Sequence, residues 1–278
     1  MAKIVSICAK KGGPGKSTTA FELAAGLLLL QKRVLTIDLD SQCNFTSMCD
    51  SFDPELASIN EVLMKKCSIR DAIQSSIREE KYKNTNYVLD TVQSSLDLDN
   101  VNVSILNEPD RLFRLRQALD EVKNDYDYVI IDTPPAFETL TQMSLCASDK
   151  LILVAQASQF DIDALYQFGG GYNQIKSYYN PNLEILGILL TRFSERSNFR
   201  REVRDNMSQI AEQLNTSLFN TFIRENVKIP ESQANHVSIW KYDKKSNGAK
   251  DYSAFLKEVM FRLNDNVEFP EILKSEII

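Results

Sequence analysis

Apolar runs of strand length alternate with helical patterns along most of the chain. Residues 4–8, 34–38 and 128–132 read as buried strands, the last with an almost unbroken apolar run, and 151–155, 185–190 and 217–223 read as further strands. Between and after them, helical patterns predict helices over 16–31, 110–124, 138–147, 161–178, 199–214 and 249–263. In the first of these, Phe21, Leu23, Ala24, Leu27 and Leu28 supply a packing surface. Buried strands that alternate with helices are the signature of β-α-β units. The expected fold class is therefore α/β, a doubly wound, mostly parallel sheet with helices on both faces. The segment 65–100 is polar and carries a charge run from Arg78 to Lys83, so it is expected to be a helix plus surface loop, with 76–100 a solvated insertion. Gly169, Gly170 and Gly171 fall inside a helical stretch and should weaken it. With no repeat or linker in view, residues 1–278 are expected to form a single domain, with 264–278 as a C-terminal tail.

Composition narrows the function classes. The 278 residues are 43% hydrophobic and 25% charged, the balance of an ordinary globular protein. A net charge of −6 excludes a protein that coats nucleic acid with its whole surface, so any DNA contact has to come from a local basic patch. The five cysteines form no C-x-x-C pair and an odd count closes no disulfide framework, which points to reduced thiols. The single His236 cannot build a histidine metal site. The most apolar run, 23–30, is far shorter than the ~20 residues of a membrane span, so a cytoplasmic location is expected.

Ligand sites of parallel sheets lie at the carboxyl ends of the strands. Directly after the first strand comes Lys10-Lys11-Gly12-Gly13-Pro14-Gly15-Lys16-Ser17-Thr18. A glycine-rich turn there lets backbone N–H groups wrap phosphate oxygens while the next helix aims its N-terminal dipole at the same charge. Lys16 is then placed to reach β- and γ-phosphates, Ser17 to ligate Mg²⁺, and Thr18 to offer a hydroxyl to the α-phosphate. The competing reading is a plain glycine turn with incidental lysines. The usual Walker A box has glycine where Lys10 stands, so the loop is a variant one.

Lys11-Gly12-Gly13-Pro14-Gly15-Lys16-Ser17 resembles the deviant Walker A box of the ParA/MinD ATPases, a P-loop NTPase family. The resemblance implies that ATP and Mg²⁺ are bound, that Gly12, Gly13, Gly15, Lys16, Ser17 and Thr18 hold the nucleotide, and that Lys11 reaches the partner's ATP across a homodimer. Pro14 departs from the family pattern and removes one N–H from the cradle. Ile37-Asp38-Leu39-Asp40-Ser41-Gln42 resembles the family's second motif, in which the later aspartate, Asp40, positions the attacking water. Ile130-Ile131-Asp132-Thr133-Pro134-Pro135 resembles Walker B. By that likeness Lys11, Lys16 and Asp40 are the catalytic set, and Ser17, Asp38 and Asp132 the magnesium set. Taken singly, an aspartate at a strand end is more often a cap or turn residue.

Over most of its length the chain is similar to short, Soj-like ParA proteins, with no helix-turn-helix segment ahead of the first strand. Asn226-Val227-Lys228 resembles the family segment bordering the adenine, which assigns Asn226 to the nucleotide; Arg224 and Glu225 depart from the usual pair before it. MinD is the alternative within the family, a positioning ATPase acting on membrane or protein cargo. Its basic amphipathic C-terminal helix is not matched by the acidic, proline-broken stretch 264–273. Arg196, Arg200 and Arg204 recur every four residues and share one face of an expected helix. The family binds DNA nonspecifically in this region and near Lys228, so Arg196, Arg200 and Lys228 are the expected DNA contacts. The competing reading is a solvated helix with arginine–carboxylate pairs. The family likeness implies a nucleoid-associated, ATP-dependent homodimer engaged in DNA segregation, a ParB-like centromere-binding partner that stimulates slow hydrolysis, and no membrane partner.

Overall fold

The computed structural model describes residues 1–50, 52–76, 89–194 and 198–273. Among them eight strands form one sheet: Lys3–Cys8 (β1), Val34–Asp38 (β2), Ile73–Ser76 (β3), Leu89–Val92 (β4), Tyr128–Asp132 (β5), Lys150–Gln156 (β6), Glu184–Thr191 (β7) and Leu218–Ile223 (β8). Their order is β3-β4-β2-β5-β1-β6-β7-β8, with every neighbouring pair parallel except β3 and β4. Helices follow at Lys16–Leu29 (α1), Asn44–Met48 (α2), Ile59–Leu63 (α3), Ile69–Ala72 (α4), Leu98–Ser104 (α5), Arg114–Asp120 (α6), Thr139–Ala147 (α7), Gln159–Tyr178 (α8), Asn198–Gln213 (α9), Lys228–Ala234 (α10), Ile239–Asp243 (α11) and Asn247–Arg262 (α12).

Strand alternation sorts the core into two faces. Val5 and Ile7 of β1, Tyr128 and Ile130 of β5, and Ile152 and Val154 of β6 pack with α1, Phe45 of α2, Trp240 of α11 and Phe255 of α12. The alternate positions face the other way: Leu35, Ile37, Val129 and Ile131 meet α3 to α7, while Leu151, Leu153, Ile188 and Leu190 meet α8 and α9. The central strands are buried on both sides, which is why their sequences are near-continuous apolar runs. Serines start several helices: Ser58 and Glu61 form a reciprocal capping box on α3, and Ser158, Ser238 and Ser246 accept N–H groups of α8, α11 and α12. The doubly wound expectation holds.

The segment after residue 65 differs from its expectation. Rather than a solvated insertion, residues 89–101 supply β4, which pairs in parallel with β2 inside the sheet, and Leu98 and Val101, which are buried in the core. The periodicity failed because β4 is four residues long and half polar. Its Thr91 is matched by Thr36, the two hydroxyls lying 2.9 Å apart. Residues 77–88 lie outside the described residues. The tail departs from a loose end as far as 273: Val267, Phe269 and Ile272 pack on the core and Leu273 is fully buried. Asp265 anchors it, accepting from the Tyr128 hydroxyl and pairing with Lys32 at 3.2 Å. None of the helices among the described residues is long and apolar enough to cross a membrane.

The glycine triplet does not break α8, which runs through it. A Cβ at Gly171 would stand 2.2 Å from the Phe137 ring, and one at Gly169 would meet Leu214 at 2.8 Å, so these two allow close approach. Gly170 is exposed with open space around it. Gly171→Ala is expected to destabilise the protein by about 1–3 kcal/mol through overpacking, whereas Gly170→Ala should stabilise it by up to about 1 kcal/mol through helix propensity. Urea denaturation of the two variants checks the contrast, and equal effects would remove the packing explanation.

Candidate nucleotide site

Three adjacent strands, β2, β5 and β1, end side by side, and their carboxyl ends deliver the site. After Cys8 the chain turns through residues 9–15 into α1. Gly13 and Gly15 hold left-handed conformations, φ 97° and 85°, which side-chain-bearing residues rarely adopt. Gly15 is the N-cap of α1 and no side chain caps it, so the first-turn N–H groups point at the site. Gly15 carbonyl instead anchors the second turn, accepting from both the N–H and the hydroxyl of Thr19 at 2.8 Å.

Two of the loop's carbonyls are tied to the neighbouring strands. Thr191 at the end of β7 donates to the Pro14 carbonyl at 2.5 Å, and Gln156 at the end of β6 donates to that of Gly13 at 3.2 Å. Thr133 donates to the carbonyl of Ile7 at 2.9 Å, fixing the segment after β5 against β1. Thr133 stands within the Walker B-like stretch, whereas Gln156 and Thr191 had no distinguishing sequence signal beyond a place at a strand end.

Lys16 lies in the middle, 6% exposed. Its Nζ is 2.9 Å from Oδ1 of Asp132 and 3.6 Å from Oδ2 of Asp40. Burial pulls its pKa down, but Asp132 first, then Asp40 and Asp38, outweigh burial and hold it above the ordinary value, so the lysine stays charged. Asp132 is fully buried, and burial pushes its carboxyl up against the pull of Lys16 and Ser17. Its Oδ2 has no hydrogen-bond partner among the described residues, an orphaned anionic oxygen beside the Ser17 hydroxyl. That pair fits a divalent cation that keeps most of its ligands as water or phosphate oxygens. Among the described residues no cluster of three or more His, Cys, Asp or Glu forms a protein cage for a metal.

Asp38 is used differently. Its Oδ1 accepts the Asp40 N–H at 3.0 Å, and its Oδ2 accepts the N–H and hydroxyl of Thr46 at 2.9 and 2.8 Å. Burial first, and the charge of Asp132 second, raise its pKa to about 7. Asp38 thereby shapes the turn that carries Asp40, whose own Oδ1 accepts the N–H of Gln42 at 3.0 Å. Lys11 is exposed, with its ammonium 5.2 Å from the Phe160 ring centroid at the start of α8. The loop directs it outward, away from the buried carboxylates. Gly12 is likewise exposed, and Thr18 faces the opposite wall, accepting from Gln233 at 2.7 Å.

A cleft of about 260 Å³ opens beside the loop, lined by Pro14, Gly15, Thr18, Asn226, Ile229 and Gln233 among others. Asn226, assigned from sequence, is thus brought to the phosphate loop from the far end of β8. Its Oδ1 accepts the Lys228 N–H at 2.8 Å, which fixes the side chain in the turn before α10. Of the expected DNA contacts, Arg196 lies outside the described residues and Arg200 falls in α9. Lys228 pairs with Glu231 at 2.8 Å and lies 5.9 Å from the ring centroid of Tyr242. An exposed pair of this kind contributes little to stability, because solvent screens it.

The model of the AAA domain family matches residues 2–185. The chromosome partitioning protein ParA of Myxococcus xanthus is 32% identical over 94% of this chain and 89% of its own length. The sporulation initiation inhibitor protein Soj of Bacillus subtilis is 31% identical, covering 93% of this chain and 98% of its own. A solved cobyrinic acid a,c-diamide synthase from Mycobacterium smegmatis, with bound ATP analog and magnesium, shares the fold at a TM-score of 0.80. That structure is 24% identical and covers 97% of this chain and 98% of its own.

Thr191 is the buried anchor of the loop, so Thr191→Val keeps the shape and removes the donor. It is expected to cost about 1–3 kcal/mol of stability, the penalty of an unpaired buried carbonyl, as read by chemical denaturation. A neutral result would mean that the Pro14 carbonyl finds its partner elsewhere.

Proposed function

This chain belongs to the ParA/MinD superfamily of ATPases, in its Soj-type branch, and we propose that it is a DNA-partition ATPase that dimerises around ATP and Mg²⁺. The observation that carries the reading is the buried Lys16–Asp132–Asp40 cluster at the mouth of a glycine loop, with the orphaned Asp132 Oδ2 beside Ser17. ATP is the substrate, and the products are ADP and phosphate.

The chain's residues divide the work. The N–H groups of Gly12, Gly13 and Gly15 to Thr18 bind phosphate oxygens, and the permanently charged Lys16 neutralises the β- and γ-phosphates. Asn226 contacts the nucleotide from the cleft. Ser17 and Asp132 would hold Mg²⁺, with Asp38 behind them setting the Asp40 turn. When bound, the metal supplies charge neutralisation across the phosphates. Asp40 orients the attacking water. Lys11, projecting outward from the loop, serves the partner subunit's ATP, so charge neutralisation is complete only in the dimer. Arg196, Arg200 and Lys228 are the DNA contacts; doubling them in the dimer converts weak phosphate binding into useful affinity. Hydrolysis is slow, accelerated by a ParB-like partner, and releases the dimer from the nucleoid.

Lys16→Ala is expected to abolish ATP binding in calorimetry, whereas Asp40→Ala should retain ATP and remain a dimer in light scattering. An ATP-loaded Asp40→Ala protein that stays monomeric would count against the dimer. Binding to unrelated duplex DNA should require ATP and weaken steeply with salt, and Arg200→Ala should lower the salt slope by about one unit. ATP-dependent binding to anionic liposomes in place of DNA would redirect the reading to a membrane-positioning role.

A further inference from the structure

Gln233 sits near the end of α10, and its Nε2 donates to the hydroxyl of Thr18 at 2.7 Å across 215 positions of sequence. Both residues line the cleft that Asn226 and Gly15 also border. A threonine hydroxyl has one proton and two lone pairs. Once it accepts from Gln233, its proton has to be donated elsewhere. The usual outlet inside a helix is the carbonyl four residues back. Neighbouring Thr19 takes that outlet, donating to Gly15 at 2.8 Å. For Thr18 the equivalent carbonyl is that of Pro14, which already accepts from Thr191 at 2.5 Å, and Thr18 makes no bond to it.

We propose that Gln233 is a positioning residue for nucleotide binding: by donating to Thr18 Oγ1 it fixes that hydroxyl as a donor toward the cleft, where a phosphate oxygen of the nucleotide accepts it. The assignment rests on the nucleotide reading above and deepens it. It gives α10 a direct part in phosphate recognition, because the same helix begins at the turn that holds Asn226. It also has a sign. A carboxylate at 233 accepts where the amide donates, so it captures the Thr18 proton and turns lone pairs toward the phosphate.

The test uses ATP and ADP with Mg²⁺, titrated calorimetrically into the full-length chain. Gln233→Met, which keeps the side-chain volume and removes the donor, is expected to weaken both nucleotides by about 3- to 10-fold, the worth of one hydrogen bond. Gln233→Glu should be weaker again by about 10-fold or more, since a charged hydrogen bond then holds the proton away. In the Thr18→Val background Gln233→Met should have no further effect, and Gln233→Glu should retain only the smaller loss caused by its charge. A Gln233→Glu protein that binds as tightly as wild type overturns the proposal, and so does a Gln233→Met loss that is undiminished in the Thr18→Val background. If the wild-type chain binds no ATP, the nucleotide reading itself fails; binding that is lost in Lys16→Ala yet unmoved by either Gln233 variant sinks the Gln233 assignment alone.

Discussion

The contact between the Lys16 ammonium and Asp132 is the constraint around which the rest is arranged. A lysine this deeply buried is tolerated only with a carboxylate at hydrogen-bond distance, and removing one partner of such a pair costs about 3–5 kcal/mol because the other is left as an uncompensated charge. The sheet order supplies the partners: β5 lies between β1 and β2, so the strand that carries Asp132 is flanked by the strand that leads to Lys16 and the one that leads to Asp40. Strand order, not local sequence, brings positions 16, 40 and 132 within one ion-paired group. Burial first, and then the nearby charge of Asp132, raises Asp38, which accepts from three donors.

Where the sequence was legible, a strong local rule operated. Doubly buried strands leave continuous apolar runs, and β1, β2 and β5 were visible for that reason. The loop was visible because left-handed backbone at positions 13 and 15 demands glycine. Legibility failed where a residue owes its place to a distant partner. Leu89–Val92 is too short and too polar to announce itself, and becomes a strand only because β2 offers it an edge. Gln156, Thr191 and Gln233 are ordinary polar residues until folding sets them against the loop. Gly171 and Gly169 looked like helix breakers; the ring and the methyl group that need their missing side chains lie 34 and 45 positions away, at Phe137 and Leu214, beyond any periodicity.

The C-terminal helices are more than cover for the sheet. Buried Glu22 of α1 accepts the Ile239 N–H at the start of α11 through both carboxylate oxygens, 3.1 and 3.2 Å away, and the Thr19 hydroxyl lies 3.5 Å from that of Tyr252 in α12. With Gln233 on Thr18, successive turns of α1 are gripped by three different helices. The wall of the cleft and the helix that carries the phosphate loop are therefore fastened together, so that displacement of one is felt by the other.

Pro14 gives the loop an unusual character. Its ring forbids one amide donor, yet it also pins φ, and the carbonyl behind it is clamped by Thr191. Such a turn has little freedom left to lose when an anion settles into it, so the ordering entropy that a flexible glycine loop gives up on each binding event is largely absorbed during folding. A cradle with fewer hands but a stiffer frame should grip and release its guest with little rearrangement of its own.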